Sequence, residues 1–196
     1  MKFRNISYSL SIVKRRMYFI FGLQNRLIAL WWGIKLGQRS SFDGICHFER
    51  FPGTTIIIGD NCQFRSRKNS NLIGINRPCS IATLTSDHNA SILIGNDCGF
   101  SGTVIGAFKF IKIGNNVRCG ANTLITDSDW HNDDIRSGIP SEVIIEDNVW
   151  IGVNAVILKG VTIGENSLIG ANSVVTKNIP ANVIAAGNPC KIIKQL

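Results

Sequence analysis

The feature that most constrains this chain is a six-residue period. Between residues 143 and 180, aliphatic side chains stand at Ile145, Ile151, Ile157, Ile163, Ile169 and Val175, one at every sixth position. A second row runs two places earlier, through Val149, Ala155, Val161, Ser167 and Ser173, and Ile179 continues it. Six is neither the period of a helix nor the alternation of one strand. It marks a repeat, whose units bury their apolar faces only by stacking. Each unit reads as one short strand plus a turn, and three units close a triangular coil of about eighteen residues. Residues two apart on a strand point the same way, so both rows face inward. Asn, Asp and Gly in IEDN, IGEN and IGAN tolerate the left-handed backbone of tight corners. An ordinary β-rich domain would reach such spacing only by six successive accidents.

The period extends upstream. IGDNC (58–62) returns as IGNDC (94–98), IGNNV (113–117), IEDNV (145–149) and IGENS (163–167). The starts lie 36, 19, 32 and 18 residues apart. Eighteen and nineteen are one coil each, 36 reads as two, and 32 is one coil with about fourteen residues to spare. The expected fold is therefore all-β, a parallel β-helix over 40–180 that throws out one loop, 127–142. Residues 181–196, interrupted by Pro189 and Gly187, close its far end.

Charge separates the ends from the body. Residues 1–39 hold eight Lys and Arg and no acid, whereas 40–196 hold thirteen of each sign. A neutral body argues against a nucleic-acid groove along the repeat, and no nucleic-acid partner is expected. Residues 1–39 read as a helical segment. Ile20, Leu23, Leu27, Leu30, Trp31 and Ile34 share one face, and Gly22, Asn25, Arg26, Ala29 and Gly33 another. Gln24, Asn25 and Arg26 interrupt it too soon for a membrane span, and no signal-peptide cleavage pattern follows. Two compatible roles remain: a cap on the open end of the solenoid, or a basic helix lying on an anionic membrane. Six cysteines without a C-x-x-C pair read as reduced and structural, which suits a cytoplasmic protein at or near the inner membrane face.

Insertions in solenoids collect on one face and commonly carry function. The loop 127–142 holds Asp127, Asp129, His131, Asp133, Asp134 and Arg136, the densest reactive cluster in the chain. A histidine can take a proton from a hydroxyl at neutral pH, and a neighbouring carboxylate can fix its tautomer. Asp127 and Asp129 are near enough in sequence to do so for His131. His47 and His88 lie outside this cluster.

The repeats, the DSDWH loop, VWIG-x5-ILKGVTIG and the closing SVVTKNIP-ANVIAAGNPCKII together resemble the hexapeptide-repeat acyltransferases. The resemblance covers about residues 55–194. It is nearest to the branch that O-acetylates sugars, including galactoside, maltose, nodulation-factor and surface-polysaccharide acetyltransferases. It implies a left-handed β-helix assembled as a homotrimer, with acetyl-CoA between coils and no metal. His131 would then be the base that lets an acceptor hydroxyl attack the thioester without an acyl-enzyme, and a backbone N–H would hold the oxyanion. Matching by motif puts acetyl-CoA contacts at Val153, Ala171, Thr176, Lys177, Lys191 and Lys194, the lysines facing its phosphates.

The amino-terminal acceptor-binding segment of galactoside-type enzymes has no match here. Ser101 and Asn122 stand in coils next to the histidine and are candidate acceptor contacts, together with Arg136. Trp130 and Trp150 are candidate platforms for a sugar face or the pantetheine arm. The expected activity is sugar O-acetylation, in surface-polysaccharide synthesis or on its lipid-linked precursor. Its rival is amino-sugar N-acetylation on the same fold. A zinc enzyme is disfavoured by the wide histidine spacing, and a scaffold would make His131 dispensable.

Overall fold

The computed structural model describes residues 2–84, 89–131 and 133–196; His88 lies outside them. Helix α1 (Lys2–Trp31) leads into a left-handed parallel β-helix. The first coil is β1 (Lys35–Leu36), β2 (Ser41–Asp43) and β3 (His47–Arg50). The second is β4 (Thr55–Ile58), β5 (Gln63–Arg65) and β6 (Ser80–Thr83). The third is β7 (Ser91–Ile94), β8 (Gly99–Ser101) and β9 (Val104–Ala107). The fourth is β10 (Phe110–Ile113), β11 (Arg118–Ala121) and β12 (Leu124–Thr126). The fifth is β13 (Val143–Ile145), β14 (Trp150–Ile151) and β15 (Val156–Ile157), and the sixth β16 (Thr162–Ile163), β17 (Leu168–Ile169) and β18 (Val174–Val175). Strand β19 (Val183–Ala186) adds one more rung to the second face, and β20 (Lys191–Gln195) folds back on it antiparallel.

The three faces are parallel ladders. Face one runs β1-β4-β7-β10-β13-β16, face two β2-β5-β8-β11-β14-β17-β19-β20, and face three β3-β6-β9-β12-β15-β18. Both predicted rows lie inside: Ile145, Ile151, Ile157, Ile163, Ile169 and Val175 are fully buried, as are Val149, Ala155, Val161 and Ser173. The first three coils are filled on face two by Phe42, Phe64 and Phe100. Their rings stack from rung to rung with centroids 5.0 and 5.2 Å apart. Cys46, Cys62, Cys79, Cys98 and Cys119 are buried and, like the half-buried Cys190, free. Burial pushes the Cys119 thiol up, away from reactivity.

Corners are held by asparagine. Asn61, Asp97, Asn116, Asn148, Asn166 and Asn182 all take positive φ, between 53° and 61°. Their side chains bond along the prism axis: Asn116 donates to Asn148 at 2.9 Å, Asn148 to Asn166 at 3.1 Å, and Asn166 to Asn182 at 2.9 Å. Glycines at the corners allow coils to touch. A Cβ at Gly152 would stand 2.5 Å from the Ala171 nitrogen, and one at Gly164 2.4 Å from that of Ala181.

Three expectations need correction. The first coil begins at Lys35, inside the stretch assigned to the helical segment. The interval of 36 residues is one coil and not two, because Ile58 pairs directly with Ile94. Most of the surplus leaves the prism as a second excursion, 66–79, so there is more than one extruded loop. Gln63 and Ser80 align with Gly99 and Val104, which puts twelve extra residues between β5 and β6. Spacing counts residues without telling whether they run around the prism, and the 36-residue interval happens to equal two turns of eighteen.

The third correction concerns α1. It docks through the side that holds Asn25 and Ala29, with Phe21, Ile28 and Trp32 packed against the core: Asn25 is fully buried, donating to the carbonyls of Phe21 (2.7 Å) and Gly44 (3.0 Å) and accepting from the Cys46 N–H at 2.8 Å. Ala29 is buried beside it, and Ile34 enters the core beyond the helix end. The apolar face, with Phe19, Ile20, Leu23, Leu27, Leu30 and Trp31, is exposed.

Candidate functional site

Loop 127–142 leaves the prism on face three, where β12 ends at Thr126. Its two stems are tied together: the Ser141 N–H donates to the Asp127 carbonyl at 2.9 Å, and the Gly160 N–H to the Ser141 carbonyl at 3.0 Å. Asp127 is fully buried. Its carboxylate accepts the N–H groups of Phe108, Lys109 and Phe110, each at 2.7 Å. Burial nonetheless pushes its pKa up, against the pull of those three donors. Asp127 therefore stitches the loop to the preceding coil.

Asp129 spans the loop and the next coil. It accepts from the Gly138 N–H at 2.9 Å and pairs with Lys159. The lysine, then that N–H, hold its carboxyl below the usual carboxylate range. Lys159 is the residue that sequence reasoning missed. Its slot lies one rung before that of Lys177, a relation set by Ile157 pairing with Val175. The linkage has a definite sign: a lowered pKa means the brace is present at neutral pH and released as pH falls through it, below an ordinary aspartate value of about 3.9. Lys159→Ala is expected to make 127–142 several-fold more sensitive to limited proteolysis at neutral pH, with Lys159→Arg restoring protection.

Trp130 carries φ of +70°, a conformation costly for a bulky side chain. Its indole lies against the backbone of Gly106, where a Cβ would come within 2.5 Å of the ring, and meets Phe108 edge-on at 5.6 Å. The left-handed turn at Trp130 sends the chain straight on to His131, which is exposed. The His131 carbonyl accepts the Asp134 N–H at 3.0 Å and the Ser137 hydroxyl. Among the described residues the imidazole has no hydrogen-bond partner, so neither Asp127 nor Asp129 orients it within one chain. Gly106→Val should displace the indole, shifting tryptophan emission to the red while leaving the coil ladder intact by circular dichroism.

The other candidates fall into three places. Val153 and Ala171 stack at the corner between faces two and three, where the Asn172 N–H donates to the Val153 carbonyl at 2.8 Å. Lys191 opens β20 opposite Ala186, which packs on Gly170 at the same corner. Thr176 and Lys177 are exposed at the opposite edge of face three. Lys194 lies on face two, opposite Ile184.

The acceptor candidates are scattered. Ser101 is buried, taking an N–H of Asn71 at 3.2 Å. Asn122 accepts from the Asn76 N–H at 3.0 Å on its side chain and from Arg77 at 2.7 Å on its carbonyl. Both anchor the 66–79 excursion, and that work occupies the groups proposed for an acceptor. Arg136 pairs with Asp134 at 2.5 Å. Trp150 projects from face two between Arg118 and Leu168, so it does not flank Trp130 in one chain. A hollow of about 560 Å³ between Arg39, Gln63 and Arg118 lies on face two as well, away from His131. Among the described residues no group of three His, Cys, Asp or Glu side chains is placed to hold a metal ion.

Residues 142–177 match the family described as bacterial transferase hexapeptide (six repeats). The chain carries this transferase repeat. A Staphylococcus aureus (strain Newman) 2,3,4,5-tetrahydropyridine-2,6-dicarboxylate N-acetyltransferase is 43% identical over 81 residues, which is 41% of this chain and 31% of that one. The chain spans less than half the length of the first curated relatives it matches. Two solved structures share the fold. One is a mutant of AntD, an N-acyltransferase from Bacillus cereus, in complex with dTDP-4-amino-4,6-dideoxyglucose and coenzyme A. Its TM-score is 0.60 at 17% identity, covering 88% of each chain. The other is the polySia-specific acetyltransferase NeuO, with TM-score 0.50 and 20% identity over 83% of this chain and 85% of that one. The hexapeptide match thus falls on the lower coils, and loop 127–142 lies almost wholly before it.

Proposed function

We propose that this chain is an acetyl-CoA-dependent acetyltransferase whose acceptor is a sugar hydroxyl, with His131 as the general base. The observation that carries the reading is the loop itself. A doubly stitched arm, anchored by Asp127 and braced by Asp129 and Lys159, presents an exposed imidazole beyond a strained tryptophan. Such rigidity is what a positioned base requires, and a solvated loop would not need it.

The base acts on the acceptor. His131 takes the hydroxyl proton as the oxygen forms its bond to the thioester carbonyl, and the tetrahedral centre collapses with loss of the CoA thiolate. The imidazolium then supplies the proton that the thiolate takes up. Acetyl-CoA brings the activated carbonyl. Val153, Ala171 and Lys191 at one edge of face three, Thr176 and Lys177 at the other, and Lys194 on face two are its proposed contacts. The chemistry of the set fits: small side chains and half-buried aliphatics for the pantetheine arm, lysines for the phosphates.

A homotrimer belongs to the same reading. Val104, Leu124, Val156 and Val174 form a continuous outward row on face three, each only half covered in the single chain. A neighbouring subunit placed there would bury the row and bring its own surface to His131, including the group that orients the ring. The acceptor is proposed to be a surface polysaccharide or its lipid-linked precursor, with residues 1–39 touching the inner face of the cytoplasmic membrane. Amino-sugar N-acetylation is the second reading, favoured by the named N-acetyltransferase relative and by AntD.

The deciding experiment measures CoA release from acetyl-CoA with hydroxyl-bearing and amine-bearing saccharides side by side. Turnover with hydroxyl acceptors supports the first reading, turnover confined to amines supports the second, and none with either removes the enzymatic one.

A further inference from the structure

We infer that the exposed face of α1 is an in-plane docking surface for anionic lipid, and that the helix is mounted on the solenoid so as to present it. The inference rests on the membrane contact proposed above and names its face, its orientation and its lipid chemistry. An amphipathic helix at the end of a solenoid should bury its apolar side in the core. Here the helix carries large apolar side chains on two sides, and only one of them meets the core. The core-facing side is made by Phe21, Asn25, Ile28 and Ala29, with Trp32 just past the helix end, and the Asn25 amide at its centre is satisfied by three backbone groups, two of them in the first coil. Tyr18 donates to Asp43 at 3.2 Å and Arg26 to the Gly37 carbonyl at 3.3 Å, so that the helix is fixed from Tyr18 onward.

This fixing turns Phe19, Leu23, Leu27, Leu30 and Trp31 outward; Phe19 and Leu30 are each 75% exposed, and Trp31 86%. Soluble surfaces seldom keep so many large apolar side chains together without a partner. Charge selects that partner. The first 39 residues hold eight Lys and Arg and no acid, and Arg16 is exposed on the helix. A second copy of the helix would bring like charges together, whereas an anionic bilayer takes up both the apolar face and the cations. No helix among the described residues is long and apolar enough to cross a membrane, so the helix would lie in the interface. Tryptophan at its end suits that depth.

The test uses the full 196-residue chain without acetyl-CoA, so it stands or falls apart from catalysis. Co-sedimentation is measured with phosphatidylglycerol and phosphatidylcholine vesicles, for the wild type and for Leu23→Glu/Leu27→Glu, whose sites are exposed. Expected are at least tenfold tighter binding to the anionic vesicles, weakening in 0.5 M salt as screening predicts, and at least tenfold loss in the double variant. Equal binding to both vesicles would overturn the charge argument. Failure of the wild type to bind, with the double variant changing the sedimentation coefficient in the absence of lipid, would assign the face to a second copy. Failure to bind with no such change overturns the docking surface altogether.

Discussion

Replacing His131 by alanine is expected to lower CoA release by about 10²–10⁴-fold, the usual range for loss of a positioned general base. The melting temperature should stay where it is. The imidazole is exposed, bonds to no described group, and substitutions at such positions rarely move stability by more than about 0.5 kcal/mol. That combination separates the enzymatic reading from a scaffold: an unchanged rate would remove His131 from the chemistry. Lys159→Ala should cost only a few-fold by comparison, since it acts on the loop and leaves the base present.

The largest expected loss of stability comes from Asp127→Ala. Three backbone N–H groups converge on one buried carboxylate at 2.7 Å, and removing it leaves all three without an acceptor. At about 1–3 kcal/mol for each orphaned group and allowing for partial hydration, the variant should lose about 3–5 kcal/mol. For a chain of this size that lowers the melting temperature by roughly 10 °C. Asp127→Asn, which keeps one accepting oxygen, should lose less than half as much. Thermal unfolding followed by circular dichroism reads both. A shift under about 2 °C for the alanine variant would mean that the corner at 107–110 holds without this carboxylate.

What could be read from the sequence follows the reach of the interactions. The inward rows at Ile145 to Val175 were legible because each repeat meets a copy of itself, so one strand's pattern specifies its neighbour's. The same holds for the asparagine corners. The 66–79 excursion was hidden because nothing in NSNLIGINRP distinguishes chain running around the prism from chain leaving it. The orientation of α1 was hidden for a different reason. Hydropathy ranks faces by apolarity, yet Asn25 is buried by backbone groups nineteen and more residues away. That 127–142 leaves the prism and carries His131 exposed was legible from the spacing. The partners of Asp127 and Asp129 were not, since both depend on which coil lies next to the arm. Ser101 and Asn122 are occupied by a loop whose path only the fold reveals.

The axial spine of asparagine amides has a consequence for how such a molecule can change length. Every rung from Asn116 to Asn182 offers its neighbour the same left-handed bend and the same side-chain bond. A whole coil of about eighteen residues could be spliced into or cut from the lower prism without breaking that chain of amides, whereas a shorter insertion keeps the later bends in line only by leaving the prism as a loop, as 127–142 does between Asn116 and Asn148. The end lid formed by β19 and β20 would simply ride up or down, and the arm bearing His131 would not feel a change made beyond Lys159 and Gly160, which tie it to the fifth coil.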